Sequence, residues 1–359
     1  MENPILMPYT KGALNLKNHL VMAPMTRSRA IDNIPNDMMA EYYGQRDGAG
    51  LIITEGTSPA PEGLGYPRIP GMYSDAQTEG WKKTTSAVHK GNSRIFVQLM
   101  HTGRIASKYN LPKGYEVIGV SNIKAAGQMH TDAHGTQDYP EPVALTTQGV
   151  KNVIDGYVNS AKKAVEAGFD GIELHAANGY LIEQFLNPNV NNRTDEYGGN
   201  YKARSLFVLE IAQKVAYAIG KDKIGIRFSP YSTMGDLKAY DENEVHETYV
   251  YLATELNKIG IAYIHIGFSP DIPKKTLDSI RSAFGGTIIM CNGLTPETAV
   301  TALQGNFADL VAFGRSFLAN PDLDQRIADN ATLNQPDFNT LYTPGAKGYT
   351  DYPALELIR

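Results

Sequence analysis

Short, almost unbroken apolar runs recur along the chain and alternate with longer stretches whose apolar residues return every three or four positions. The first pattern predicts buried strands and the second amphipathic helices. The strand candidates are HLVMAP, GLIITE, RIFVQLM, DGIELH, KIGIRFS, AYIHIGF, TIIMCNG and ADLVAFG. Helix candidates lie between them at residues 75–90, 148–167, 201–219, 242–259 and 296–304, with Gly91, Gly168, Gly220, Gly260 and Gly305 where a helix should stop. About eight strands in strict alternation with helices are what a closed parallel barrel needs. The prediction is therefore an α/β protein, a single (β/α)8 TIM barrel covering residues 1–359.

Alternating units of this kind could also build an open doubly wound sheet, which carries a glycine fingerprint after its first strand. Here the first strand runs into MAPMTRSRA, with no GxGxxG, and chemistry-capable residues end many strands rather than one. The closed barrel is the better reading. Two segments, residues 54–74 and 101–146, are too long for simple connections, and long excursions of this kind usually shape an active-site mouth. There is no internal repeat and no low-complexity linker.

Composition narrows the function. Of the 359 residues, 42% are hydrophobic and 20% charged, ordinary for a globular protein with a large core. A formal net charge of -5, without any basic run, argues against nucleic acid. The only cysteine, Cys291, allows no internal disulfide and no four-cysteine iron–sulfur or zinc site, which suits a reducing compartment. The start MENPILMPYTKG lacks the pattern of a secretory signal, and no apolar stretch reaches membrane-spanning length, so a cytoplasmic location is expected.

In a barrel the carboxyl ends of the strands converge on one face. The polar residues that close the runs are Thr26, Glu55, Gln98, His175, Arg227, Asn292 and Arg315. A hydrolytic metal site would gather His, Asp and Glu; this set is mostly neutral donors with two arginines, so no metal is expected and a planar heteroaromatic ligand with a phosphate fits better. Barrels often take phosphate on the loops after strands seven and eight, where CNGLTPE and AFGRSF place Gly293, Gly314 and the charged fork of Arg315. Taken singly, Arg315 reads equally as a surface ion-pair residue and the glycines as turn residues; their joint position favours the anion site.

The fourth run leads into HAANGY, which gathers His175, Asn178 and Tyr180 in one short loop. His and Asn are neutral donors suited to polarising a carbonyl or nitro oxygen, and Tyr, with a pKa near ~10, can deliver one proton. Each alone reads as readily as a core histidine, a turn former or a packing aromatic. The cluster is what points to chemistry.

The segment GFDGIELHAANGYLIEQFLNPNVNNRTDEYGG resembles the signature region of the old yellow enzyme family, and VMAPMTRSRA, FVQLMHTGR, IRFSP, VAFGRSFLANPDL and GYTDYP resemble its other landmarks in order. The match spans almost the whole chain, and it is similar to the branch of N-ethylmaleimide reductase-like alkene reductases. The resemblance implies an FMN enzyme in which NADPH or NADH reduces the flavin and an activated alkene then takes hydride at its beta carbon. It implies that Pro24, Met25 and Thr26 sit against the flavin, and that Gly56 and Gln98 hold its pyrimidine. Arg227 would lie near N1 and O2, and Asn292, Gly293, Gly314 and Arg315 would serve the phosphate side. His175 and Asn178 would grip the substrate oxygen, Tyr180 would protonate the alpha carbon, and Tyr66 and Tyr349 would line the open face. Members range upward from monomers, so a monomer or homodimer is expected.

Departures sharpen the picture. Asn178 occupies a place that holds either His or Asn in the family, and both donate. Met100 stands where many members carry Trp, and its flexible thioether implies a roomier substrate pocket. Thr26 rather than Cys resembles the Thr-bearing branch, and the lone cysteine excludes relatives with an iron–sulfur cluster. His101 reads either as a flavin-edge contact or as a loop cap, Trp81 as packing, and His130 with His134 as a loose pair without a further metal ligand. Two other readings compete. A flavin-free aldolase or isomerase would want a strand-end lysine, and none is present. A non-catalytic flavin-binding protein would have no need of an intact HAANGY cluster.

Overall fold

The computed structural model describes residues 3–355 apart from positions 268, 270 and 292. Its centre is a closed barrel of parallel strands, β1 (Leu20–Met22), β2 (Leu51–Ile53), β3 (Arg94–Leu99), β4 (Gly171–Ala176), β5 (Ile224–Phe228), β6 (Tyr263–Gly267), β7 (Thr287–Cys291) and β8 (Leu310–Phe313), each paired with its sequence neighbours and β8 closing on β1. Seven of the strands fall inside one of the apolar runs, and β4 runs one residue past its own, to Ala176. Their unbroken hydrophobicity has a physical cause: helices cover the outside and side chains fill the inside, so neither face meets water.

The floor of the barrel is sealed from below by an antiparallel hairpin, Tyr9–Lys11 and Leu14–Leu16. Its Tyr9, Leu14 and Leu16 pack with Val21, Leu51, Ile53, Phe96 and Tyr263 inside the barrel. Tyr9 Oη lies 2.7 Å from Thr287 Oγ1, and Lys11 Nζ donates to the Gly286 carbonyl at 2.9 Å. Apolar closure at this end leaves the opposite end for chemistry.

The outer ring contains α1 (Asp37–Gly44), α2 (Asp75–His89), α3 (Thr147–Glu166), α4 (Leu181–Leu186), α5 (Tyr201–Ile219), α6 (Glu242–Ile259), α7 (Lys274–Ala283), α8 (Pro296–Gln304), α9 (Arg315–Ala319) and α10 (Leu323–Ala328). Local signals explain where the longer ones start. Ser74 and Gln77 form a reciprocal capping box on α2, and Asn200 and Asp241 cap α5 and α6 through their side chains. Gly220 and Gly260 end α5 and α6 with φ of 95° and 81°, conformations that cost a residue with a Cβ more than glycine. The helices α1, α4, α7, α9 and α10 have no counterpart among the predicted elements, being short or, like α4, buried on every side. No helix of the described residues is long and apolar enough to cross a membrane.

The two long excursions both lie on the carboxyl side of strands. Residues 54–74 hold a 3-10 turn at Pro61–Gly63 and run mostly buried. Residues 101–146 contain an antiparallel hairpin, Gln128–Thr131 with Gly135–Asp138, and a short parallel pair, Ile118–Gly119 with Val143–Ala144.

Candidate active site

Two cavities open among the strand-end loops. The larger, about 860 Å³, is walled by Thr26 and Ser28 after β1, Tyr66 and Arg68 after β2, the 128–138 hairpin, Tyr180, and Phe338 and Tyr342 from the carboxyl-terminal segment. The smaller, about 220 Å³, is lined by Pro24, Met25, Arg227, Gly293, Gly314 and Arg315. Six of the residues read as flavin and phosphate contacts thus come from β1, β5, β7 and β8 to one place, while Thr26 borders the larger cavity and Gly56 and Gln98 line neither.

Register explains how the polar floor is assembled. Gln98 pairs with Glu173, His175 with Arg227, and Arg227 with His265, on neighbouring strands at matching heights. Gln98 Nε2 donates to Glu173 Oε1 at 2.8 Å, and His265 Nδ1 lies 2.9 Å from Glu173 Oε2. All three are fully or almost fully buried. Burial opposes a charge on His265, but Glu173 and a hydrogen bond with Cys291 together outweigh it and raise the imidazole above its ordinary range. Because Gln98 spends an amide N–H on Glu173, the Gln98 carbonyl is left for another partner.

His175 is held the opposite way. Burial, then the positive charges of Arg227 and His265, push it well below its ordinary value, so it is a neutral imidazole; its Nδ1 is buried without a partner. Its ring packs against Tyr180, with centroids 5.1 Å apart. The Tyr180 hydroxyl lies 2.9 Å from the Tyr66 hydroxyl, edge to face. Burial pushes Tyr180 up to about 12 despite the opposing hydrogen bond from Tyr66, so it keeps its proton at any working pH. Asn178 sits at φ 60°, a left-handed turn that asparagine tolerates.

The donor set suits FMN. The Arg227 guanidinium faces the smaller cavity with its buried Nε unpartnered. Arg315 is solvent-exposed directly after Gly314 on the same wall, and Gly293, at φ 65°, leaves open space where a Cβ would stand. Such a wall of cationic and backbone donors meets an anionic ribityl phosphate and the electron-rich edge of a flavin. Among the described residues no cluster of His, Cys, Asp or Glu could hold a metal ion.

Two predicted positions are placed differently. Tyr349 does not line the open face: it is fully buried, stacked on Tyr42 at 4.0 Å, with the Arg27 and Arg29 guanidiniums over its ring. Cation–π attraction and apolar burial hold it in the body, and Tyr342, seven residues earlier, lines the cavity instead. Met100 is also buried, packed with Leu64, Ile69 and Ala106 in a cluster that supports Tyr66 and Tyr180 from behind. Its softness shapes the wall indirectly rather than widening an open pocket. Gly56 faces Met100, where an added Cβ would come within 2.5 Å of the sulfur, so a larger residue there would have to displace the Met100 side chain. Asn292 lies outside the described residues.

Other residues settle where the alternatives were open. His101 Nδ1 accepts the Gly103 N–H at 3.1 Å, a loop cap, and burial lowers it to about 3. Trp81 is wholly buried, its indole donating to the Gly71 carbonyl. His130 lies 3.7 Å from Asp132 and His134 stacks on Tyr109, both on the hairpin side of the mouth. Sequence reasoning missed Glu183 and Ser229, which brace the HAANGY loop, and the Arg68–Asp132 ion pair that ties the hairpin to the mouth. Only the placement of Glu183 three residues after Tyr180, at the start of α4, could have hinted at the first.

Residues 4–334 match the model of the NADH:flavin oxidoreductase / NADH oxidase family. The chain belongs to that family. 12-Oxophytodienoate reductase 7 of Oryza sativa subsp. japonica is 37% identical over 99% of this chain and 95% of its own. Among solved structures, morphinone reductase superposes with a TM-score of 0.93 at 39% identity, covering 99% of this chain and 97% of its own. The old yellow enzyme homologue from Zymomonas mobilis superposes with a TM-score of 0.93 at 38% identity, covering 98% and 99%. These are old yellow enzymes, and membership makes the chain an NAD(P)H-dependent flavin oxidoreductase with FMN as its cofactor. The flavin-free aldolase or isomerase reading is thereby set aside.

Proposed function

We propose that this old yellow enzyme reduces the carbon–carbon double bond of activated alkenes, enones, nitroalkenes and maleimides, with Tyr180 as proton donor and His175 and Asn178 gripping the activating oxygen. The observation that carries the reading is the packing of a neutral imidazole, His175, against a protonated phenol, Tyr180, that lines the larger cavity. The names of the relatives, 12-oxophytodienoate reductase and morphinone reductase, point to oxo compounds and support the same substrate class. A morphinone reductase complex with tetrahydroNAD supports a nicotinamide as the hydride donor in the same family, and we extend this to NADPH or NADH here.

FMN, when bound, accepts hydride from the reduced nicotinamide and returns it to the alkene. Everything else falls to the chain. Pro24, Met25 and Thr26 would face the ring, Gly56 and Gln98 its pyrimidine edge, and Arg227 the electron-rich side; Gly293, Gly314 and Arg315 would take the phosphate. A neutral His175 donates a hydrogen bond to a ketone or nitro oxygen without itself giving up a proton, which draws electron density from the double bond and makes its far carbon electrophilic. Asn178 adds a second uncharged donor. Tyr180 then protonates the near carbon, and Tyr66, 2.9 Å away, is the neighbour through which the phenol can recover a proton from the cavity.

The test is anaerobic. NADPH or NADH should bleach the yellow protein, and 2-cyclohexenone or N-ethylmaleimide should restore its colour. Flavin that bleaches but is reoxidised by no activated alkene would overturn the proposal.

A further inference from the structure

Tyr180 is the N-cap of α4 yet makes no capping bond with its own side chain. The hydroxyl is thereby left to the cavity, and the turn needs another brace. Glu183, the third residue of α4, supplies it: Oε2 accepts the Gly179 N–H at 2.6 Å, while Oε1 accepts from the Ser229 hydroxyl at 2.7 Å and the Tyr249 hydroxyl at 3.1 Å. Ser229 in turn accepts the Asn178 N–H at 2.9 Å. The carboxylate is almost fully buried, and all three partners donate to it.

The braced peptides are the unusual ones. Asn178 and Gly179 are consecutive residues with φ of 60° and 82°, and a Cβ on Gly179 would come within 2.2 Å of the Met234 carbonyl oxygen. Left-handed residues in sequence persist only where their surroundings over-determine them. Resting on the alkene-reductase reading above, we infer that Glu183 is the positioning residue of the substrate loop, aiming Asn178 and Tyr180 by holding the Gly179 N–H directly and the Asn178 N–H through Ser229. It touches neither substrate nor flavin.

Burial pushes the Glu183 carboxyl up to about 7 against the pull of its three donors. A cavity of about 290 Å³ behind the loop has Glu183 in its wall and gives water a route to it. The titratable and charged groups facing it there are Tyr249 and Glu242 of α6, Tyr231, Lys238 and Tyr240 between β5 and α6, and Asp271 after β6. A protonated carboxyl is a weaker acceptor for the Gly179 and Ser229 donors, so the grip on the loop slackens as pH falls through the neutral range.

The experiment uses the FMN-loaded full chain with Glu183→Gln and Ser229→Ala. KM and kcat for 2-cyclohexenone are measured from pH 5.5 to 9, and amide hydrogen exchange is followed across residues 176–182. In Glu183→Gln the KM should rise roughly 10-fold or more, the scale of a lost charge-assisted bond; the wild-type KM should rise below neutrality, and that rise should vanish in the variant. Ser229→Ala, which cuts only the Asn178 arm, should raise KM less, and the double variant should be no worse than Glu183→Gln alone, since the two act as one unit. Exchange at 176–182 should quicken in both variants. Wild-type KM, pH profile and exchange in Glu183→Gln would overturn the assignment and leave alkene reduction standing. Should the wild type reduce no activated alkene, the proposed function falls, and exchange still decides the brace: quickened exchange supports it and unchanged exchange refutes it.

Discussion

Replacing Tyr180 with phenylalanine removes one oxygen and separates the two halves of the proposed cycle. A positioned general acid contributes about 10² to 10⁴ in rate, or roughly 3–5 kcal/mol of barrier. The structure narrows this range. The nearest substitute proton in Tyr180→Phe is on Tyr66, 2.9 Å from the missing hydroxyl. A donor displaced by about 1 Å already costs about 100-fold, so Tyr66 recovers little, and a loss near ~10³ is expected in alkene reduction. The fold should tolerate the change, because the Tyr66 hydroxyl borders the 860 Å³ cavity and can turn to water. His175 and Asn178 keep their places, so substrate affinity should shift by no more than about 3-fold, or about 0.65 kcal/mol. Stopped-flow spectroscopy of the flavin reads each half alone: reduction by NADPH should match the wild type, and reoxidation by 2-cyclohexenone should slow. With Tyr180 pushed up to about 12, wild-type reoxidation should owe no pH dependence to this phenol between pH 5 and 10. Equal slowing of both halves, or no slowing of reoxidation, would refute the role of the phenol.

Three further outcomes follow from the same geometry. Glu55 is buried and raised from 4.5 to about 7 by desolvation, against the Arg27 and Ser28 N–H groups and the Tyr43 hydroxyl. The folded state therefore holds a proton that the unfolded chain has lost: the contribution is full below pH 4.5 and gone above about 7, costing about 3 kcal/mol over that interval at about 1.4 kcal/mol per pH unit. Urea midpoints should fall across this range and fall less in Glu55→Gln. Gly56→Ala should destabilise by about 1–3 kcal/mol through its clash with the Met100 sulfur, and Met100→Ala in the same chain should restore part of that, as read from thermal unfolding. Arg29→Met removes donors to the carbonyls of Arg27, Thr340, Leu341 and Lys347, so the cavity wall at Tyr342 should loosen; KM should rise with little change in bound FMN. An unchanged KM would show that the wall stands without it.

The barrel was legible because a parallel sheet buried on both faces leaves its mark in composition: each of the eight runs marks one barrel strand, and the helices at 201–219, 242–259 and 296–304 match their predicted bounds. Helix α4 was not legible, since all its residues are buried and no polar face marks its period. In the site, His175, Tyr180 and Tyr66 come together as their spacing and family resemblance imply. Glu183 stayed hidden because its significance lies in partners 46 and 66 positions away, Ser229 and Tyr249, which no local pattern connects. Tyr349 was misplaced for a similar reason. Its partners Arg27, Arg29 and Tyr42 sit at the other end of the chain, and only the closed structure shows that they compete for the ring.

That closure bears on how the pocket comes into being. Arg27 bonds the Leu341 and Gly348 carbonyls across separations of 314 and 321 positions, so one wall of the larger cavity is stapled to the first strand's exit by residues from far down the chain. The barrel strands are complete by Phe313, well before that staple can form. The scaffold strands are thus synthesised before the residues that complete the wall of the larger cavity. Truncation before Phe338 would strip the wall and also leave the buried Arg27 and Arg29 guanidiniums without most of their acceptors, so the shortened chain should melt well below the full one.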